Sequence, residues 1–406
     1  MRAPPPPRVT AADLSALAAG LDPEEARRLS QAVRWWVEIK RRGGRVVVAT
    51  GSGPNLHEGV TTQIAELLSH GLVDGVLTSS AVVGHEMAGA LERVRRVDGR
   101  RLGLDPAVLP RDGRVEVSLL AESELARLGR DTPLDPAHYR QLLAQPGPEI
   151  IKVAGNLAFP TGLWVERMAR RLLTLAVARG KSLEETAGLG ADPRTMLGAA
   201  ARRRAPCLVT VPQLVGGGQV GLAVGDSLTV SRRSARVAEL LASADLILES
   251  GVALTQEIHD GPFELYTGHG LWSRHEGHFT YSLAGKKVVR LDLDPTLRRV
   301  WELERGDKAV GRAIHEGRPK AAGLGLPFRM EMSGFARLPG SLPVCLDLGM
   351  AWPLLAHRVS RALGVKLGFM CYKQGTPAGE AVREFIVENV RPLDLSLVVQ
   401  GLEEDR

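Results

Sequence analysis

Residues 45–91 read RVVVATGSGPNLHEGVTTQIAELLSHGLVDGVLTSSAVVGHEMAGAL and contain two strand–loop–helix units in succession. Val46-Val47-Val48-Ala49 is a β-branched run of the kind that makes a strand buried on both faces. It opens into Thr50-Gly51-Ser52-Gly53-Pro54-Asn55-Leu56-His57-Glu58-Gly59, too rich in Gly and Pro for regular structure. A helical pattern follows from Val60 to Leu68. The second unit repeats this: Gly75-Val76-Leu77, then Thr78-Ser79-Ser80, then a helix predicted from about Val83 to Val94. Open α/β sheets bind ligands in the crevice at the carboxyl ends of such strands. The site is therefore expected at these two loops.

A chain of 406 residues with 44% hydrophobic content has enough apolar surface for two domains or one large α/β domain. Helix and strand patterns alternate along it, which predicts an α/β fold with a Rossmann-like, doubly wound, mostly parallel sheet. Nucleic-acid binding is disfavoured. The formal charge is a modest +6, the arginines are scattered, and only 4% of residues are aromatic, too few for a basic stripe with stacking platforms. Cys207, Cys345 and Cys371 show no CxxC spacing, which fits a reducing, cytoplasmic compartment. The start MRAPPPPRVT has no apolar core of a secretory signal, and no run is long enough to span a membrane.

The expected organisation is an N-terminal tail with two helices (1–40), a nucleotide-binding α/β domain (41–313) and a C-terminal linker with a strand–helix segment (314–406). Further strands are predicted at 150–154, 207–211, 245–249, 287–293, 344–348 and 365–371, with helices at 163–178, 187–204, 231–243 and 377–390. The stretches 97–148 and 251–285 read as long irregular insertions.

Several segments carry candidate chemistry, and each has a plainer alternative. Backbone N–H groups from Ser52 and Gly53 onward, with the Asn55 side chain, suit a phosphate, although an ordinary βα turn needs no ligand. Thr78, Ser79 and Ser80 supply hydroxyls, and also a helix cap. His57-Glu58 and His85-Glu86 are acid–base pairs at helix starts, with Glu86 suited to a substrate ammonium; surface pairs look the same. Gly217, in a triple glycine after strand 207–211, permits close approach of a ligand, and Asp226 beyond it is a candidate substrate contact, yet a flexible connection has the same composition. Asp292 and Asp294 end a strand where an acid can hold a ribose hydroxyl or cap a helix. Lys286 and Lys287 precede that strand as a catalytic or merely solvated pair. The segment 259–278 holds four of the ten histidines. Its His259, Asp260, Glu264, His269 and Trp272 suit a loop closing over a small polar substrate. Its spacing matches neither HExxH nor a closed zinc pattern, so no metal is assigned.

The chain resembles the deoxyhypusine synthase-like NAD-binding superfamily. Its opening stretch is similar to the LOR/SDH-type ornithine cyclodeaminase domain, in which a GP-x-x-x-H-x-G loop precedes a GY-VD-x-LL-x-GN-x-x-x-x-HD run. His57, Gly59, Val73-Asp74 and His85 match; Ser79-Ser80 stands for Gly-Asn and Glu86 for Asp. The segment KVVRLDLDP is similar to that family's last dinucleotide-side strand. The same stretch resembles deoxyhypusine synthase at Asn55, Gly59, Val73-Asp74 and Thr78-Ser79, and the Gly155-Asn156 to Pro160 step resembles that family's GN-x-x-x-P. The synthase's Ser-Trp-Gly-Lys motif is replaced by Ser282-Leu283-Ala284-Gly285-Lys286.

This resemblance implies NAD held by Ser52, Gly53, Asn55, Thr78, Ser79, Ser80, Gly217 and Asp292 or Asp294. It further implies transient oxidation of a small amine or amino acid to an imine, with ornithine cyclisation and ammonia loss the first choice. His57, His85, Glu86, Lys286 and Lys287 are then the catalytic candidates. Asn156, Asp226 and the loop residues of 259–278 are the substrate contacts. A homo-oligomer, dimer or tetramer, is implied as well. Alternatives are aminobutyl transfer from a polyamine and a non-catalytic NAD-binding protein.

Overall fold

The computed structural model describes residues 7, 9–51, 53–155, 157–210, 214–251, 285–291 and 341–404. Two sheets organise it. Strands β1 (Val46–Thr50), β2 (Gly75–Thr78), β3 (Leu91–Asp98), β4 (Arg114–Ser118), β5 (Glu149–Val153), β6 (Cys207–Val209), β7 (Leu246–Ser250), β8 (Lys287–Leu291) and β9 (Ser341–Val344) follow in chain order. The larger sheet is six-stranded, in the order β6-β2-β1-β7-β8-β9, and every pairing in it is parallel. Its six strands, taken in chain order, stand as third, second, first, fourth, fifth and sixth. That is the order of the doubly wound dinucleotide fold, whose direction of winding reverses between the first and fourth strands. Here the reversal falls between β1 and β7.

The β1 run explains why this strand is central. Val46 and Val48 point into the main core beside Trp36, Ile64 and Leu248, whereas Val47 and Ala49 point into a second core with Leu77, Ile247, Val288 and Leu241. Each valine withdrawn completely from water contributes about 1.5–3 kcal/mol, and period-two alternation gives both faces their share. Helix Val230–Ser243 covers the second face, and helices Pro23–Arg41, Val60–Ser69 and Leu348–Ala362 lie in the main core. Trp36 and Trp352 meet there edge to face, 6.4 Å between centroids. Residues before 41 and after 341 thus share one core with the α/β body, and β9 extends its sheet.

The smaller sheet was not foreseen. It is antiparallel, in the order β4-β3-β5. The helix predicted to run to Val94 stops at Met87; Gly89 and Ala90 then adopt positive φ, and Leu91–Asp98 forms β3. The alternation of Leu91-Glu92-Arg93-Val94-Arg95-Arg96-Val97 has a strand period, and partners on both sides satisfy its backbone. Val97 and Val117 pack with Leu125, Tyr139 and Leu142 of helices Glu122–Asp131 and Pro136–Leu143. The stretch 97–148 is therefore a structured subdomain. Two further expectations need correction. The strand at 344–348 is set earlier, at Ser341–Val344, because Asp347 caps the helix that starts at Leu348. No strand forms at 365–371; the N–H groups of Gly368 and Cys371 donate to Glu66 and Gln63 side chains on helix Val60–Ser69 instead of to a sheet edge.

Candidate functional site

The carboxyl ends of β1 and β7 meet at the sheet's reversal point, and the β1 loop is fastened across it. Asn55 donates from Nδ2 to the Ser250 carbonyl at 3.1 Å and accepts from Ser250 Oγ at 2.5 Å, and Trp352 Nε1 donates to the same hydroxyl at 2.8 Å. Asn55 is 2% exposed. Its amide ties the loop to β7, so a direct phosphate contact from this side chain is not what the fold uses it for. Gly53 has φ 65, and a Cβ there would meet nothing within 4 Å, so this turn is shaped by backbone torsion and faces open space. At the end of β2, Ser79 accepts from Val82 N–H at 3.2 Å and caps helix Ser80–Met87, and Thr78 Oγ1 is buried with no hydrogen-bond partner among the described residues.

The sequence pair His85-Glu86 divides into two different roles. Successive helical residues point about 100° apart, and these two enter different surroundings. Glu86 is fully buried and accepts from the N–H groups of Met196 (2.8 Å) and Leu197 (3.0 Å), at the start of helix Met196–Arg203. Burial pushes its carboxyl up to about 7 against these two donors. Glu86 thus accepts at a helix end from a distant segment, with both carboxylate oxygens engaged. His85 Nδ1 meets the Ala154 carbonyl at 2.7 Å, which requires the proton on Nδ1 and leaves the Nε2 lone pair available. Burial, aided by nearby His57 and Lys152, lowers its pKa to about 4, although the Ala154 bond opposes this. The imidazole is neutral at pH 7.

His57, at the end of the short helix Pro54–His57, is half-buried, and its imidazole has no hydrogen bond or ion pair among the described residues. Burial, then Arg383 and Lys152, lower its pKa below the usual 6.5. His57 and His85 thus come from the two loops of the opening stretch into one neighbourhood.

Three members of that neighbourhood were missed from sequence. Lys152 on β5 is half-buried, pairs with Glu116 of β4, and has its pKa lowered by burial and by Arg96. Arg383, from helix Pro377–Asn389, donates to the Ile151 carbonyl at 2.6 Å and pairs with Glu380. Glu92, register partner of Lys152, is buried and accepts the Gly155 N–H at 2.8 Å. Burial raises its pKa to about 6. His85 and Glu92 therefore grip consecutive residues of the turn after β5, at Ala154 and Gly155. The signal was present: Glu92, Arg96, Glu116, Ser118 and Lys152 occupy one face of the small sheet by strict alternation, opposite the apolar Val97 and Val117.

Other expectations fall elsewhere. Lys286 donates to the carbonyls of Ala242 and Ala244, at 2.5 and 2.7 Å, and Lys287 lies 4.8 Å over the Trp35 ring. Both stand at the amino end of β8, at the opposite end of the strand from the crevice. Asp226 is exposed in the last turn of helix Gln219–Ser227 and does not join the site. At Gly217 a Cβ would lie 2.8 Å from the Ser80 carbonyl group, so its missing side chain admits the protein's own backbone rather than a ligand. Ser52, Asn156, His259, Asp260, Glu264, His269, Trp272, Asp292 and Asp294 lie outside the described residues.

No family model matches the chain, and no protein of curated function does. Solved structures are similar to it in fold at low identity. Apo ArgZ, an arginine dihydrolase from the ornithine–ammonia cycle in cyanobacteria, is 16% identical over 84% of this chain and 32% of its own, with a TM-score of 0.38. AgrE in its ternary complex with ornithine and NAD+ is 16% identical over 83% and 34%, at 0.39. A conserved putative LOR/SDH protein from Methanococcus maripaludis S2 is 12% identical over 84% and 69%, at 0.40. The chain spans about a third of the length of ArgZ and AgrE. The likeness is one of α/β arrangement. Among the described residues, no helix is long and apolar enough to cross a membrane.

Proposed function

We propose that this chain is an NAD-dependent enzyme that transiently oxidises a small amino acid to an imine, with loss of ammonia from ornithine the leading reaction. The observation that carries the reading is the sheet order, which sets its reversal point between β1 and β7, where the β1 loop that leads to His57 begins. The residues present fit a dinucleotide there: an open turn at Gly53, Gly251 with φ 98 at the end of β7, and at the end of β2 the Thr78 hydroxyl, unpartnered among the described residues. When bound, NAD supplies a hydride acceptor that can later return the hydride.

The protein's own groups account for the rest. An ammonium must lose a proton before its carbon gives up hydride, and two imidazoles held neutral by burial are suited to take it. His57 has no competing partner among the described residues, which makes it the favoured base. Lys152 and Arg383 place positive charge beside it, which favours a substrate carrying a carboxylate over a polyamine. Purified protein is incubated with NAD and ornithine, and ammonia and proline are measured. Formation of both supports the reading; bound NAD with neither product from ornithine sinks the ornithine assignment.

A further inference from the structure

A second cavity, of about 1160 Å³, opens on the other side of the small sheet's helical cover. Its walls are helix Glu122–Asp131, the turn at 190–193 and the segment 391–397 that starts helix Leu395–Glu404. Four guanidinium groups border it; Arg202 donates to the Ala191 and Gly198 carbonyls, which leaves three, Arg127, Arg130 and Arg391. Arg127 is half-buried, with its guanidinium carbon 4.7 Å over the Trp164 ring and Nη2 buried without a hydrogen-bond partner among the described residues. None of the three side chains forms an ion pair or hydrogen bond among the described residues.

The carboxylates of the same cavity are mostly engaged already. Asp131 accepts from Arg171 and Trp164, Asp192 from Arg194 and the Arg391 N–H, and Asp394 from the Ser396 N–H and hydroxyl. Glu124 is half-buried and Glu388 is exposed; these two acids keep no such partner among the described residues, against three unengaged guanidinium groups. A guanidinium stacked on an indole is fixed in its plane, and its edge presents N–H groups in the fork that matches a carboxylate or phosphate. Burial and the neighbouring Arg130 lower the Arg127 pKa, and Glu124, Asp131 and Asp394 oppose this.

We propose that this cavity binds a small metabolite through an oxyanion group, carboxylate or phosphate, seated on Arg127 with Arg130 and Arg391 at its rim. The full chain is titrated by calorimetry with inorganic phosphate and, separately, with succinate, which distinguish the two sources of oxyanion. One-to-one saturable binding of either probe is expected, weakened at least about tenfold by Arg127→Gln and unchanged by Arg27→Gln on the far surface helix. Arg127→Lys keeps the charge without the fork and is expected to fall between. Arg391→Gln and Arg130→Gln, both at exposed side chains, give the same loss to a smaller degree and serve if Arg127→Gln does not fold. Absence of saturable binding of both probes, or equal affinity in wild type and these cavity variants, overturns the proposal.

Discussion

Glu86→Ala separates a structural carboxylate from a substrate-binding one, and the structure gives the size and sign of its effect. The substitution leaves the Met196 and Leu197 N–H groups without their acceptor. Each buried donor stranded in this way costs about 1–3 kcal/mol. Part of that loss is offset, because the wild-type protein also carries the cost of burying the charge. Burial raises the carboxyl from 4.5 to about 7, so the folded state binds the proton more tightly than the unfolded state. A raised carboxyl pKa contributes stability that is complete below 4.5 and lost as pH rises through 7. Between pH 5 and pH 8 the wild type therefore loses about 2–3 kcal/mol from this group, and the alanine variant, lacking it, does not. Glu86→Ala should be clearly destabilised at pH 5 and much less so at pH 8. Urea unfolding of both proteins at the two pH values measures this, and His85, present in both, cancels in the difference. A destabilisation that is flat or grows with pH refutes the reasoning. So does a variant of wild-type stability that has lost only substrate affinity.

His57→Asn removes the unpartnered imidazole and should lower kcat about 100-fold with NAD affinity unchanged, measured by turnover and cofactor titration. Since both histidine pKa values lie below 6.5, the rate should be level above pH 6.5 and fall toward pH 4 as the imidazoles take up protons; a rate that rises on acidification contradicts the base assignment. Lys152→Met should raise KM for the amino acid by about tenfold while leaving the affinity of a matching diamine unchanged, because only the former has a carboxylate to lose. Asn55→Ala breaks the tie to Ser250 and should cost about 2–3 kcal/mol in thermal or urea unfolding. Lys286→Ala should keep activity within about twofold of wild type and lose about 1 kcal/mol of stability, as expected for a helix-end donor.

The two opening units were legible because their signals are local. A β-branched run followed by Gly and Pro reads as strand and loop whatever lies elsewhere in the chain. The order of the sheet was not legible, since β1 pairs with β7 across about two hundred residues and nothing in either segment names its neighbour. The same holds for Lys152 and Arg383, which reach His57 through a second sheet and a C-terminal helix. Lys286 and Lys287 are a different kind of miss. They stand at the start of their strand, so a parallel sheet puts them at its amino end, away from the carboxyl ends where ligands of such sheets bind. Glu92 could also have been found, because the alternation that puts Val97 on an apolar face puts Glu92 on the opposite one.

The electrostatic character of the site follows from burial acting on bases rather than from any motif. Three basic groups, His57, His85 and Lys152, are brought together by separate segments, and burial lowers the pKa of each. Lys152 adds to the lowering at both histidines, Arg96 adds to that at Lys152, and Glu92 opposes it there. At neutral pH the neighbourhood therefore holds two neutral imidazoles beside the cations Lys152 and Arg383. Under the proposed function, such a set would attract a carboxylate and take a proton from an ammonium attached near it. Glu116 and Glu380 pair with these two cations, and among the described residues the His57 imidazole has no hydrogen-bond partner. The division between His85 and Glu86 points the same way. The fold ties the glutamate down with two hydrogen bonds, and it holds the adjacent histidine by one nitrogen, with the other left to act.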